Sequence, residues 1–120
     1  MTPTRFRVLF SAALEEDLEH APAAQRTIGR SAAQRLARDG LTKDQLWPCR
    51  AEERDGTRLG GCVKTYLPWP AGRCGMVFEL RVDDHGPLLY CLAFGERHPA
   101  RDSRRPSVYQ VADRRLHPGS

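Results

Sequence analysis

At 120 residues the chain has room for one modest hydrophobic core, so a single domain spanning residues 1–120 is expected. Its 40% hydrophobic and 28% charged content is that of an ordinary folded protein, which argues against wholesale disorder, and no apolar run reaches the ~20 residues of a membrane span. The net charge of +4 is concentrated at one end: from Arg97 onward six arginines stand against Asp102 and Asp113, a basic segment that suits a polyanion such as nucleic acid or, equally, a solvated surface.

The sequence opens without an apolar segment and small-residue cleavage site, so a cytoplasmic location is expected, with no membrane partner. Cysteines stand at 49, 62, 74 and 91 with no C-x-x-C pair. Zinc sites draw their ligands from close pairs, and disulfides belong to exported chains, so neither is expected. Cys62 and Cys91 fall in strand-like runs and read as small buried hydrophobes. No cofactor is expected.

In chain order, Arg5–Phe10 alternates charged and apolar residues and reads as a first strand. Ser11 can cap a helix whose early Glu15, Glu16 and Asp17 suit the positive end of its dipole, with Leu14 and Leu18 on one face. Pro22 opens a second helix in which Ala24, Ile28, Ala32 and Leu36 recur every four residues, and Gly40 ends it. Arg26, Arg30, Arg35 and Arg38 read as surface charge on this hairpin. Thr42–Trp47 predicts one more helical turn, with Thr42 and Gln45 spaced as a capping box and Pro48 as its stop. Arg50–Gly61 is polar and aperiodic and reads as a loop with a mobile tip.

Cys62–Leu67 predicts a second strand, with Cys62, Lys64 and Tyr66 on one face. Pro68–Gly72 reads as a turn. Arg73–Val82 predicts a third strand with Met76, Phe78, Leu80 and Val82 toward the core, and Glu79 and Arg81 as a surface charge pair. Asp83–Gly86 predicts a hairpin turn. Leu88–Phe94 is apolar on both faces and is expected to be a central strand that carries Arg97 and His98 to the edge of the sheet. Ser107 caps a last helix running to Leu116. The fold class is therefore α+β, in the order β-α-α-β-β-β-α: a helical hairpin on a small antiparallel sheet, with loop insertions near 48–61 and 99–106.

This order, with these residues, resembles the RelE/ParE superfamily of bacterial toxin–antitoxin toxins. The resemblance rests on FRVLFSAALEEDLEHAPAAQRTIGRSAAQRLA for the opening strand and hairpin, RCGMVFELRVDD for the third strand, and LLYCLAFGERH followed by SVYQVADRRL for the last strand, its arginine and its helix. It implies a ribosome-dependent mRNA endonuclease, or alternatively a ParE-like inhibitor of DNA gyrase or a catalytically inactive binding protein of the same fold. Implied partners are a cognate antitoxin protein, the ribosome and mRNA. The nuclease branch uses no metal: the ribose 2′-oxygen attacks the adjacent phosphorus.

By this resemblance Arg97 matches the arginine after the last strand, Tyr109 the tyrosine of the last helix and Lys64, loosely, a second-strand lysine. The chemistry calls for a base near the 2′-hydroxyl, an acid near the leaving oxygen and cations around the phosphorane. Arg97 can hold two phosphate oxygens through its planar fork. Lys64 can add charge, and Tyr109 can orient the hydroxyl or stack on a base. His98 belongs to the residue type that titrates near neutrality and can serve as acid or base. Tyr66 and Trp69 can stack on bases, and Arg73, Arg101, Arg104 and Arg105 can grip the RNA backbone. Plain structural readings stand beside these: Tyr109 as a core residue with its hydroxyl at the surface, His98 as a turn residue before Pro99, Trp69 as a cap on the core. Two features depart from the family pattern. Gly75 stands where the nucleases often carry a third-strand arginine, for which Arg73 is a candidate substitute, and residues 99–106 form an insertion between Arg97 and Tyr109.

Overall fold

A computed structural model of the chain describes residues 5–50, 56–67 and 73–119, without the side chain of Arg101. The elements run β1 (Arg5–Leu9), α1 (Ala13–His20), α2 (Ala23–Asp39), β2 (Leu41–Thr42), a 3-10 turn (Lys43–Gln45), β3 (Trp47–Pro48), β4 (Cys62–Tyr66), β5 (Cys74–Asp83), β6 (Gly86–Glu96), a second 3-10 turn (Arg101–Ser103) and α3 (Val108–Leu116). Among the described residues the strands form one six-stranded sheet in the order β2-β1-β6-β5-β4-β3. The predicted turn at Pro68–Gly72, Trp69 within it, and the tip at 51–55 lie outside the described residues.

The sheet is mixed, not antiparallel as expected. β4, β5 and β6 form an antiparallel meander, but β1 lies parallel to β6, pairing Arg7, Val8 and Leu9 with Leu88, Leu89 and Tyr90. The alternation in β1 suits either direction, so its residues carry no signal for it. The two extra strands are two-residue edges. β2 pairs with β1, and β3 pairs with β4. The predicted turn at Thr42–Trp47 forms only over Lys43–Gln45, with the Thr42–Gln45 capping box as expected. Trp47 and Pro48 are drawn into the sheet instead, since Pro48 is tolerated on an edge strand.

β6 is apolar on both faces because both are covered. Leu89, Cys91 and Phe94 join a core with Leu18, Ala32 and Leu36 of the helical hairpin. Leu92 and Ala93 join a second core with Val77 of β5 and Val108 and Ala112 of α3. The expected core face of β5 holds only in part. Met76 and Phe78 are buried, whereas Leu80 and Val82 are exposed, Val82 to 77%, because the β5–β6 hairpin runs past the packed helices. Val77, on the opposite face of the strand, is buried under α3. Leu59, in the predicted loop, is also buried there, and the neighbouring Arg58 N–H donates to Asp113 Oδ1 of α3 at 2.9 Å. Cys74 and Cys91 sit in the cores, and burial first of all pushes their thiols up to about 11 and about 12, so they remain protonated hydrophobes.

The switch of β6 between the two cores requires a bulge. The register jumps so that Val77 faces Ala93 and Phe78 faces Cys91, leaving Leu92 as the extra residue. β1 pairs with β6 only as far as Tyr90, so the polar backbone beyond it needs other partners. Asp17 and Arg115 supply them. The Phe94 N–H donates to Asp17 Oδ2 at 2.9 Å, and Arg115 donates to the Leu92 carbonyl at 2.8 Å. The two side chains close the ring through two bonds of 2.8 Å. Asp17, expected as a dipole charge at the start of α1, instead ties α1, the β6 bulge and α3 together. Arg26, expected as surface charge, donates to the Leu18 and Ala21 carbonyls that end α1.

Gly40 ends α2 as expected, with φ +70 and its N–H donating to the Leu36 carbonyl at 2.8 Å. A Cβ here would lie 2.4 Å from the Phe6 carbonyl oxygen. Gly40→Ala is therefore expected to lower stability by at least ~2 kcal/mol, from the left-handed backbone and the clash together. A urea melt checks this: an unchanged midpoint would mean that α2 and β1 do not meet this closely.

Candidate functional site

The C-terminal half of β4, the end of β6 and the start of α3 converge on a cleft of about 660 Å³. Lys64 and Tyr66 reach it from β4, because two-residue alternation puts both on the face that α3 covers. Arg97 follows β6, and its backbone N–H donates to the Arg73 carbonyl at 2.8 Å, carrying the β5–β6 ladder one step past Glu96. Tyr109 comes from the first turn of α3. That turn is fixed by a capping box: Ser107 Oγ accepts from the Gln110 N–H at 3.1 Å, and Gln110 Oε1 accepts from the Ser107 N–H at 2.9 Å. Residues of the 99–106 insertion form a wall of the cleft, and its 3-10 turn closes with Arg104 in the left-handed region, φ 56.

The side chains are mutually placed. The Lys64 ammonium stands 4.9 Å from the centre of the Tyr109 ring and 5.8 Å from that of Tyr66. The Arg97 guanidinium carbon lies 4.4 Å over the Tyr66 ring, and the His98 and Tyr109 ring centres are 6.5 Å apart. Such cation–ring contacts hold flexible cations in place. Arg50, Arg104 and Arg105 also line the cleft, and no aspartate or glutamate does among the described residues. The cleft is thus a positive concavity with aromatic walls.

Gly75 explains how Arg97 reaches Tyr66. Tyr66 pairs with Gly75, and Gly75 with Gly95, across the sheet. A Cβ on Gly75 would lie 3.5 Å from the Arg97 side-chain stem and 3.1 Å from the Thr65 carbonyl oxygen. The Arg97 stem thus runs alongside Gly75, at van der Waals distance from where a third-strand Cβ would stand.

Two protonation states follow from the packing. Burial opposes the charge on Lys64, but Tyr109 and Tyr66 outweigh it and raise the Lys64 pKa overall. Burial raises the Tyr109 pKa, partly offset by Lys64. At neutral pH the site therefore presents an ammonium beside a neutral phenol.

Of the residues singled out by sequence, Lys64, Tyr66, Arg97, His98, Tyr109, Arg104 and Arg105 come together here. Arg73 does not: it is exposed at the start of β5, away from the cleft lining. The side chain of Arg101 and all of Trp69 lie outside the described residues. Sequence reasoning missed Arg50 and Trp47. Trp47 was hidden in an apparent helical turn, and only its pairing with Lys64 brings it beside the site.

No protein-family model matches this sequence. No curated protein matches it. Among solved structures, a chain of the toxin–antitoxin complex RelBE2 from Mycobacterium tuberculosis matches with a TM-score of 0.50 at 18% identity, over 78% of this chain and 100% of that chain. At that identity the likeness is one of fold, and the fold is RelE-like: α+β, with N-terminal helices on a curled mixed sheet and a C-terminal helix. Among the described residues no helix is long and apolar enough to cross a membrane.

Proposed function

We propose that this protein is a RelE-type toxin of a toxin–antitoxin pair and that its cleft is a metal-independent endoribonuclease site acting on mRNA in the ribosome. One observation carries the reading: Lys64, Arg97, His98 and Tyr109, scattered in sequence, line one positive, aromatic-walled cleft of a RelE-like fold. The RelBE2 relative was solved as a toxin–antitoxin complex, which supports a cognate antitoxin as the partner that holds this protein inactive.

In the proposed reaction the ribose 2′-oxygen attacks the adjacent phosphorus and the bond to the 5′-oxygen breaks, leaving a 2′,3′-cyclic phosphate and a 5′-hydroxyl. Arg97 binds the phosphate oxygens and, with Lys64, stabilises the charge that builds on them. Tyr109, a neutral phenol, positions the 2′-hydroxyl. His98 exchanges protons with the reacting oxygens: it accepts the 2′ proton or supplies one to the leaving 5′-oxygen. Arg104 and Arg105 hold flanking phosphates. Because the Tyr109 pKa is raised, the loss of rate in Tyr109→Phe is expected to be the same at about pH 7 and about pH 9. A loss that grows with pH over that range would mean that the phenolate is the working form.

The gyrase-directed reading keeps one observation in its favour, the glycine at position 75. Brief induction in bacteria separates the two. New 5′ ends within translated frames support the nuclease; intact mRNA with altered plasmid supercoiling supports gyrase as the target.

A further inference from the structure

Trp47 lies outside the proposed catalytic set, yet it is one of the most exposed large apolar residues of the described chain, at 45%. It stands on β3, the last strand of the sheet among the described residues. Its indole packs on Tyr66, itself 37% exposed, with ring centres 4.8 Å apart and planes at 36°. Tyr66 in turn carries Arg97 at 4.4 Å, and that side chain arrives from the β5 side. Arginine, tyrosine and tryptophan thus form a graded row across the sheet, from the phosphate-binding cation outward to a bare indole. Lys64, paired with Trp47 across the β3–β4 ladder, adds positive charge beside the row.

We propose that the exposed indole of Trp47 is a stacking subsite for an unpaired base of single-stranded RNA, next to the nucleotide whose phosphate Arg97 binds. The proposal rests on the nuclease reading for the position of that phosphate. Charge favours RNA as the occupant over a protein segment, since the cleft that the row borders is lined by cations and, among its described residues, by no carboxylate. Any base has a π-face, so the subsite adds affinity and fixes the strand's direction across β3 without requiring a particular base.

The test is fluorescence anisotropy of a labelled 2′-O-methyl RNA oligonucleotide, which binds without being cleaved, compared with an abasic strand of the same length. Trp47→Leu is expected to weaken binding of the base-bearing strand by about 5- to 100-fold while leaving the abasic strand within about 2-fold. Trp47→Phe is expected to restore most of the loss. Equal effects on both strands, no effect on either, or a wild-type protein that does not prefer bases over abasic sites would each overturn the subsite. A cleavage assay on ribosomes is read separately. Base-dependent binding through Trp47 without any cleavage would leave the subsite standing and remove the nuclease reading, whereas cleavage with an inert Trp47 would do the reverse. Weaker binding of an acidic antitoxin peptide by Trp47→Leu, with RNA binding untouched, would assign the row to the protein partner and overturn the proposal.

Discussion

Arg97→Ala is expected to lower ribosome-dependent mRNA cleavage by roughly 10²–10³-fold, the range found when one preorganised donor to a developing oxyanion is removed. The folded state should hardly change. Arg97 follows the end of β6, and its backbone hydrogen bond to the Arg73 carbonyl at 2.8 Å survives the substitution. Among the described side-chain contacts, what is lost is the guanidinium over the Tyr66 ring, a cation–ring contact of the class worth about 1 kcal/mol at a partly exposed site. Arg97→Lys separates charge from geometry. It keeps the charge but has no planar fork, so it should recover only a minor part of the rate. Gly75→Val approaches the same point from the other strand. Its side chain would occupy the path of the Arg97 stem, so activity should fall although Arg97 is intact. Full activity of Arg97→Ala in a folded protein would remove this residue from the site.

Asp17→Ala is expected to have the largest effect on stability, about 3 kcal/mol or more and a fall in Tm of roughly 10 °C or more. The Asp17 side chain is only 9% exposed, and its removal takes away the acceptor of the Phe94 N–H in the β6 bulge and the carboxylate that accepts two bonds from the Arg115 guanidinium. An ion pair on the surface would contribute well under that amount. Removing one partner of a buried pair costs more, because the remaining charge and the backbone amide stay desolvated. Arg115 keeps its bond to the Leu92 carbonyl and is 24% exposed, which places the expected loss at the lower end of the range for buried pairs. Asp17→Asn retains an acceptor for the Phe94 N–H and should lose less. A thermal melt of Asp17→Ala within about 2 °C of the parent would mean that the pair does not hold the bulge.

These two residues also mark what the sequence could and could not disclose. Arg97 was legible because a continuous apolar run ending at a glycine announces the end of a buried strand, and the resemblance supplied its role. The same local character made Gly40, the Ser107 cap, the Thr42 capping box and the double-sided burial of β6 readable. Asp17 was misread as a helix-dipole charge, because its partner Arg115 is 98 residues away and no spacing rule links them. The direction of β1, the exposure of Leu80 and Val82 and the burial of Leu59 share that cause. Each depends on where a distant element ends, not on the residues nearby. At the cleft, Lys64, Tyr66, Arg97, His98 and Tyr109 were legible by type and position, while Trp47 was masked by a capping box that ends two residues before it. Gly75 was read as a missing arginine, and the packing of the Arg97 stem beside it depends on a residue of another strand.

The most direct measurement of the central claim is primer extension on mRNA bound to purified programmed ribosomes, with either a normal ribonucleotide or a single 2′-deoxynucleotide at the attacking position. A discrete cleavage is expected on the normal message that requires the ribosome, persists in a metal chelator at a concentration the ribosome survives, and disappears on the 2′-deoxy message. Cleavage of the 2′-deoxy message at the same site would contradict the 2′-oxygen attack, and an uncut normal message would contradict the assignment of the cleft as a nuclease.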